Sequence, residues 1–313
     1  MSVHSYLVTG GCGFIGSHLV ESLLRDGHRV RVLDNLSSGY RRNLEPWGAE
    51  VEVLLGDVRD PAAVRQAVQG VSGIFHEAAL VSVFDSVQRP GDNHDINATG
   101  TLNVLLAARE AGVARVVLAS TAAAYGNDPT LPKQETMTPQ PESPYAVAKV
   151  MSEHYLRLAA QLYGVETVVL RYFNVFGPRQ DPKSPYSGVI SRFCDDLAAG
   201  RPPTIFGDGL QTRDFVFVSD VVQANRLAMS DRVKGAGQIY NVASGSTTSL
   251  LDLVDTLRRL GGRPFQPMHR EPRAGDIRHS AAAIDRARQE LGYAPQFSLE
   301  DGLRLLLQSL GVL

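Results

Sequence analysis

The stretch Val3-His4-Ser5-Tyr6-Leu7-Val8-Thr9-Gly10-Gly11-Cys12-Gly13-Phe14-Ile15-Gly16 decides the fold. Val3 to Val8 is an apolar run of strand length, and Phe14, Ile15, Leu19, Leu23 and Leu24 then recur at helical spacing. Between them stand Gly10, Gly13 and Gly16. A strand that turns through glycines into a helix can hold a pyrophosphate. The glycines permit the tight turn, the close approach of phosphates to backbone, and the close packing of helix on strand. The helix N-terminus adds unpaired amides and the positive end of its dipole. A second strand, Arg29 to Leu33, ends at Asp34. A carboxylate there would bind the diol of an adenosine ribose and repel a 2′-phosphate, so the pattern predicts NAD rather than NADP.

The alternation of strand and helix continues outward. Val51 to Leu55 reads as a third strand, followed by Gly56-Asp57 and a helix capped near Asp60-Pro61. Gly73 to His76, Val116 to Ala119 and Val165 to Leu170 read as further strands, with long helices over 95–112 and 145–163. The texture changes after Tyr172. Residues 177–213 are rich in Pro, Gly and Asp, with one helix near 188–199. Phe215 to Val218 and Ile239 to Val242 read as strands returning to the sheet, and short helices follow at 249–260, 281–291 and 299–310. The class is α/β: a Rossmann-type, doubly wound parallel sheet with a smaller α/β C-terminal substrate domain. Residues 1–173, with returning segments near 214–242, form the cofactor domain; 174–213 and 243–313 form the substrate domain.

Composition narrows the classes. The 313 residues are 43% hydrophobic, enough for a sizeable core. A net charge of −2 with no basic run gives nucleic-acid binding no support. No apolar run approaches the ~20 residues that span a bilayer, and a strand beginning near residue 3 leaves no room for a leader. Cys12 and Cys194 offer no disulfide framework, and the eight histidines show no metal-ligand spacing. The expectation is a soluble cytoplasmic protein without a metal site.

The chemistry lies in Ser143-Pro144-Tyr145-Ala146-Val147-Ala148-Lys149. Tyr145 and Lys149 are i and i+4 on one helix face. A free phenol, with a pKa of about 10, is a poor base at neutral pH, and a nearby cation lowers it. An isolated Tyr-x-x-x-Lys is more often a solvated helix face. Joined to a dinucleotide turn, it reads as the acid/base device of hydride chemistry on a carbinol carbon.

Together these residues resemble the extended short-chain dehydrogenase/reductase family, and within it the nucleotide-sugar 4-epimerases, in particular the branch acting on UDP-N-acetylhexosamines. The resemblance runs through Gly10 to Gly16, Asp34-Asn35-Leu36, Gly56-Asp57, His76-Glu77-Ala78-Ala79, Asn97 to Thr101 and Ser143 to Lys149. It continues through Arg171 to Gln180, Gly207-Asp208-Gly209, Arg213-Asp214-Phe215 and Arg273-Ala274-Gly275-Asp276. It implies cofactor contacts from Gly10, Gly13, Phe14, Ile15 and Gly16, and from Asp34, with Asp57 and Val58 flanking the adenine. It adds Asn35, Ser37, Gly39, Ala78, Ala79, Asn97 and Tyr172, alongside Tyr145 and Lys149. It implies a homodimer built on the helices 95–112 and 145–163, where Met151, Leu158 and Leu162 supply apolar surface.

The resemblance further implies a cycle with no net redox change. Tyr145 would take the O4 proton, hydride would leave C4 for NAD+, and the 4-keto sugar would turn over and take hydride on its other face. The hydroxyl that bridges O4 and the tyrosine falls on Thr121, four residues before Tyr125; the neighbouring Ser120 reads as a strand-end serine bonding backbone. The 4,6-dehydratases carry Asp-Glu after that threonine, and UDP-glucuronate decarboxylases a Glu two residues after it. Here Ala122 and Ala123 stand there, and water elimination lacks its acid.

On the substrate side the resemblance implies contacts from Ser86, Thr121, Ala122, Tyr145, Asn174 and Val189. It puts Arg213 and Arg273 on the UDP phosphates and Asp276 on the ribose. Arginine's planar fork suits phosphate oxygens. Arg179 and Gln180 are further loop candidates. Ser280 aligns with a position where relatives confined to UDP-glucose and UDP-galactose often carry tyrosine, and a serine leaves room for an N-acetyl group; UDP-glucose/UDP-galactose or UDP-glucuronate 4-epimerisation, or an NAD-sensing binding protein on the same fold, are the alternatives.

Overall fold

The computed structural model describes residues 3–181, 188–262, 265–272 and 278–313. Seven parallel strands form the central sheet. Four of them, β1 (Ser5–Thr9), β2 (Arg29–Asp34), β3 (Val51–Leu55) and β4 (Gly73–His76), come from the first quarter of the chain. Then come β5 (Arg115–Thr121) and β6 (Glu166–Tyr172). Four short strands outside this sheet follow, β7 (Asn174–Phe176), β8 (Thr204–Phe206), β9 (Thr212–Arg213) and β10 (Phe215–Phe217), and β11 (Ala236–Val242) completes the seven. The order across the sheet is β11-β6-β5-β4-β1-β2-β3. The chain works outward from β1 to β3, then returns to β4 on the other side of β1. That reversal opens a crevice at the carboxyl ends of β1 and β4, the place where open α/β sheets bind ligands. Strand β5 is buried almost throughout, as a central parallel strand covered on both faces must be.

Two apolar cores lie on opposite faces of the sheet. One gathers Val8, Leu19, Val32, Phe75, Val117 and Leu170. The other gathers Leu7, Ile74, Val104, Leu118, Leu156 and Val169. A third, containing Phe176, Phe193, Cys194, Leu253, Leu257 and Leu303, supports the C-terminal part of the chain. The helix bearing Tyr145 and Lys149 spans Pro144–Tyr163. Ser143 caps it by accepting from the Ala146 amide at 3.2 Å, Pro144 occupies its first turn, and left-handed Gly164 ends it.

Three expectations change. Phe215 to Val218 does not return to the main sheet: β10 pairs with β7 in a separate two-stranded sheet. The edge beside β6 is already taken by β11, which pairs along its length. The helix expected over 281–291 forms only in its second half, with a π-turn at Ala287–Leu291. Ala281 to Ala283 is extended instead, because its backbone pairs with Lys133. The helix expected over 95–112 begins earlier, at Pro90, and carries a π-turn at Asp95–Thr99 before running on to Glu110. The helix Val218–Met229, which packs against the sheet, has no counterpart in the sequence reading.

Candidate active site

The glycines occupy their places for steric reasons. Gly10 has φ +69°, and a Cβ there would lie 2.7 Å from the Ala78 nitrogen, across the crevice between β1 and β4. A Cβ at Gly16 would lie 2.3 Å from the Gly10 carbonyl oxygen. The helix Phe14–Arg25 starts at Gly13 with no side-chain cap, so its first amides carry no intrahelical or side-chain partner. Asp34 is buried beside them and accepts from the backbone amides of Cys12 (2.9 Å) and Leu36 (2.8 Å). Asn35 donates to Asp57 (2.8 Å) and accepts from the Ser37 amide (3.0 Å), while Gly39 packs against Cys12. Asp57 also pairs with Arg59, whose guanidinium holds its carboxyl down at about 2; the N-cap of the next helix is Asp60. A cradle without Cβ atoms, open helix amides and a fixed carboxylate at the end of β2 fit a bound NAD.

The far wall of this groove is held by a polar network. His76, buried at the end of β4, bridges Thr9 (2.7 Å) and Thr101 (3.1 Å), and burial pushes its pKa down to about 3. Thr9 also accepts from the Ala78 amide at 3.2 Å. Asn97 sits in the π-turn and bonds both the nitrogen and the oxygen of Leu80, each at 3.0 Å, which fixes the backbone running from Ala78 and Ala79. The Asn97 carbonyl accepts from Thr101 (2.6 Å) and from Ser152 (2.8 Å), so the turn is tied to the helix of Tyr145. The Asn97 side chain is thus spent on shaping the loop. Val58 is buried against Gly100.

Tyr145 is buried and shares a hydrogen bond with Thr121. Burial pushes its phenol up to about 12, the Thr121 bond drawing it back in part. Lys149 was expected to lower the phenol; its ammonium instead donates to the Ala119 carbonyl at 2.7 Å. Burial brings Lys149 down to about 8, against the carboxylates of Glu77 and Glu153. Glu77 accepts from the Tyr172 hydroxyl (2.8 Å), which in turn accepts from Asn225 (2.7 Å). Burial raises Glu77 to about 7. Ser120 does not bond backbone: it donates to Glu153 at 2.6 Å, and Glu153 forms a buried two-pronged ion pair with Arg171. Ser120 therefore faces away from the reacting hydroxyls because a buried carboxylate claims it.

Beyond Thr121 opens a cavity of about 730 Å³. Thr121, Ala122, Ala123, Phe173, Asn174, Arg213 and Ser280 stand in its walls, together with Lys133 and Arg278. A second cavity of about 880 Å³ is lined by Val189, Phe206 and Gln180 and shares Asn174, Arg213 and Val83 with the first. Asn174 is oriented by donating to the Asp214 carbonyl at 2.9 Å. Ser86 is in neither wall. It is fully buried inside a short helix and donates to the Val83 carbonyl at 2.6 Å. Arg179 turns from the cavities to Glu21 and Ser17 of the first helix. Arg273 and Asp276 lie outside the described residues. Among the described residues no group of three His, Cys, Asp or Glu could hold a metal, and no helix is long and apolar enough to cross a membrane.

A dinucleotide cradle, a hydrogen-bonded Tyr145–Thr121 pair and two adjoining cavities beyond Thr121 suit an enzyme that uses NAD on a bulky substrate. The NAD dependent epimerase/dehydratase family matches residues 6–243, and the chain belongs to it. Within that family it is an NAD-dependent nucleotide-sugar 4-epimerase. It is 42% identical to the UDP-glucose 4-epimerase of Mycolicibacterium smegmatis over 301 residues, 95% of each chain. The Methanobrevibacter ruminantium UDP-N-acetylglucosamine 4-epimerase, solved with UDP-N-acetylmuramic acid, superposes with a TM-score of 0.93 at 36% identity, covering 99% of this chain and 98% of that one. The Thermus thermophilus UDP-glucose 4-epimerase, solved with NAD, gives 0.88 at 37% identity, covering 98% and 99%.

Proposed function

We propose that the enzyme interconverts UDP-N-acetylglucosamine and UDP-N-acetylgalactosamine. The observation that carries this is Ser280 in the wall of the cavity beyond Thr121, a small side chain in a lining that also holds the small Ala122 and Ala123. A tyrosine at 280 would fill the room an acetamide needs. Two cations of that wall argue against a C6 carboxylate. Arg278 is paired with Asp208 at 2.7 Å and Lys133 with Asp128 at 3.9 Å, so neither is left to balance a uronate.

The division of labour follows from position. Residues 1–173, with the returning 214–242, hold the cofactor; 174–213 and 243–313 hold the nucleotide sugar. Arg213 and Asn174, where the two cavities meet, take the diphosphate; the resemblance adds Arg273 for the diphosphate and Asp276 for the ribose. Val189 lines the chamber for the nucleoside. Bound NAD supplies the hydride acceptor at C4 and then the donor to the opposite face. The chain's own residues move the proton: with Tyr145 as phenolate, O4–H breaks, its proton passes through Thr121 to the phenolate oxygen, and it returns when the ketone is reduced. The positive nicotinamide of bound NAD+ would favour that phenolate, with Lys149 held on the Ala119 carbonyl.

The protein acts as a cytoplasmic homodimer supplying sugars for polysaccharide assembly. What supports the dimer is an exposed apolar stripe on the helix Pro144–Tyr163. Val147, Met151, Leu158 and Leu162 share one face at exposures of 36% to 65%, with Leu106 exposed on the neighbouring helix Gly100–Glu110. The test of the substrate is incubation of the purified enzyme with UDP-N-acetylglucosamine, UDP-glucose and UDP-glucuronate in parallel, with products quantified by NMR. Conversion of the acetylated sugar supports the reading. Turnover of UDP-glucose alone, the activity named for the M. smegmatis relative, leaves the mechanism and removes the substrate.

A further inference from the structure

The cavity beyond Thr121 has a wall that the cofactor turn and the Tyr–Lys pair do not explain. The loop from Gly126 to Ser143 forms one side of it, and the segment 278–280 another. Lys133 joins them. Its amide donates to the Ala281 carbonyl at 2.8 Å, and its own carbonyl accepts from the Ala283 amide at 2.9 Å. The buried side chain of Asn241 clamps the joint, donating to the Lys133 carbonyl (2.9 Å) and the Ala283 carbonyl (3.1 Å) while accepting from the Tyr125 hydroxyl (2.6 Å). Lys133 is therefore fixed beside Ser280 and tied to the turn that carries Thr121.

Its side chain is only 8% exposed, yet it belongs to the cavity wall. An ammonium carries three donors. Asp128 engages this one through its backbone carbonyl and through a carboxylate oxygen 3.9 Å away. The charge is thus balanced while donor capacity remains. A buried cation in that condition suits a neutral acceptor, because a second carboxylate would meet Asp128 at close range. We propose that Lys133 is a specificity residue of the sugar cavity, donating from its ammonium to the acetamide carbonyl of an N-acetylated hexose held beside Ser280. The inference rests on the substrate reading above.

Isothermal titration of the NAD-loaded enzyme with UDP, UDP-glucose and UDP-N-acetylglucosamine, wild type against Lys133→Met, tests it without requiring turnover. A lost charge-assisted hydrogen bond should weaken UDP-N-acetylglucosamine about tenfold, with UDP and UDP-glucose within about twofold of wild type. Lys133→Gln, which keeps a neutral donor, should recover part of the loss and serves equally if the methionine variant does not fold. Unchanged binding of the acetylated sugar, or equal weakening of both sugars, overturns the proposal. In the second case amide exchange rising across 128–135 would mark Lys133 as a loop fastener only. Turnover by the wild type is read separately, so failure to epimerise the acetylated sugar would remove the substrate reading while the titration still decides Lys133.

Discussion

Tyr145 shows how one side chain depends on its surroundings. Its phenol is held near 12 by burial, the Thr121 hydrogen bond drawing it back only in part, so at neutral pH it rests protonated. Tyr145→Phe keeps the ring in its packing and removes the oxygen. We expect kcat to fall about 10²–10⁴-fold with NAD content after purification unchanged, checked by turnover and by cofactor absorbance. Glu77 makes a different prediction. Burial raises its carboxyl from 4.5 to about 7. Its folded-state pKa is the higher one, so the stabilisation from protonating it is complete below 4.5 and is lost as pH rises through about 7. Glu77→Gln still accepts from Tyr172 but carries no charge to bury. The variant should melt higher than wild type at pH 8, and the gap should close as pH falls toward 5, measured by thermal unfolding across that range.

At the scale of elements, two helices are tuned to the site by their irregularities. The π-turn at Asp95–Thr99 inserts an extra residue into one helical turn, which leaves the Asn97 carbonyl to take two hydroxyls and aims its amide at Leu80. A regular helix there would leave the Ala78-Ala79-Leu80 backbone without its clamp. Asn97→Ala strands both backbone groups of Leu80, which should cost about 1–3 kcal/mol. It should also speed NAD loss on dialysis, measured by melting temperature and by residual cofactor. The helix Pro144–Tyr163 serves three partners at once. Tyr145 and Lys149 face the groove, Ser152 and Glu153 face buried polar groups, and Val147, Met151, Leu158 and Leu162 face outward. Its length, legible from the spacing of its apolar residues and confirmed by Ser143 and Gly164 at its ends, is what allows this.

At the scale of the whole molecule, the outward stripe predicts association. Leu162, 65% exposed, contributes apolar area that a second copy would cover. Leu162→Asp should shift the protein to monomer in size-exclusion chromatography with light scattering, with its far-UV spectrum unchanged. A dimer that survives, or a wild type that is already monomeric, would reject the assignment. The large cavities have the opposite character. They are assembled from β5, β6 and β7, from the loop 126–143 and from 278–280, segments that meet because the chain crosses the sheet and returns. The expected return of Phe215 to the main sheet failed for the same reason: strand propensity in Phe215–Phe217 was right, but its partner is chosen by which edge is open.

The amino-acid sequence by itself determined the parallel α/β architecture, the dinucleotide turn and the helix that carries Tyr145 and Lys149 one turn apart. Each is a short-range pattern: glycines within one turn, a carboxylate at the end of the next strand, two side chains one helical turn apart. Tertiary structure alone decided the rest. Ser120 was diverted to Glu153, Ser86 was buried inside its helix, and Lys149 was bonded to Ala119. Lys133, which no local motif marks, was carried into the wall beside Ser280 by backbone pairing across nearly half the chain. Hydrogen-bond partners of buried polar groups are set by whatever the fold brings within about 3 Å. That choice is made between residues far apart in sequence, where no local pattern can record it.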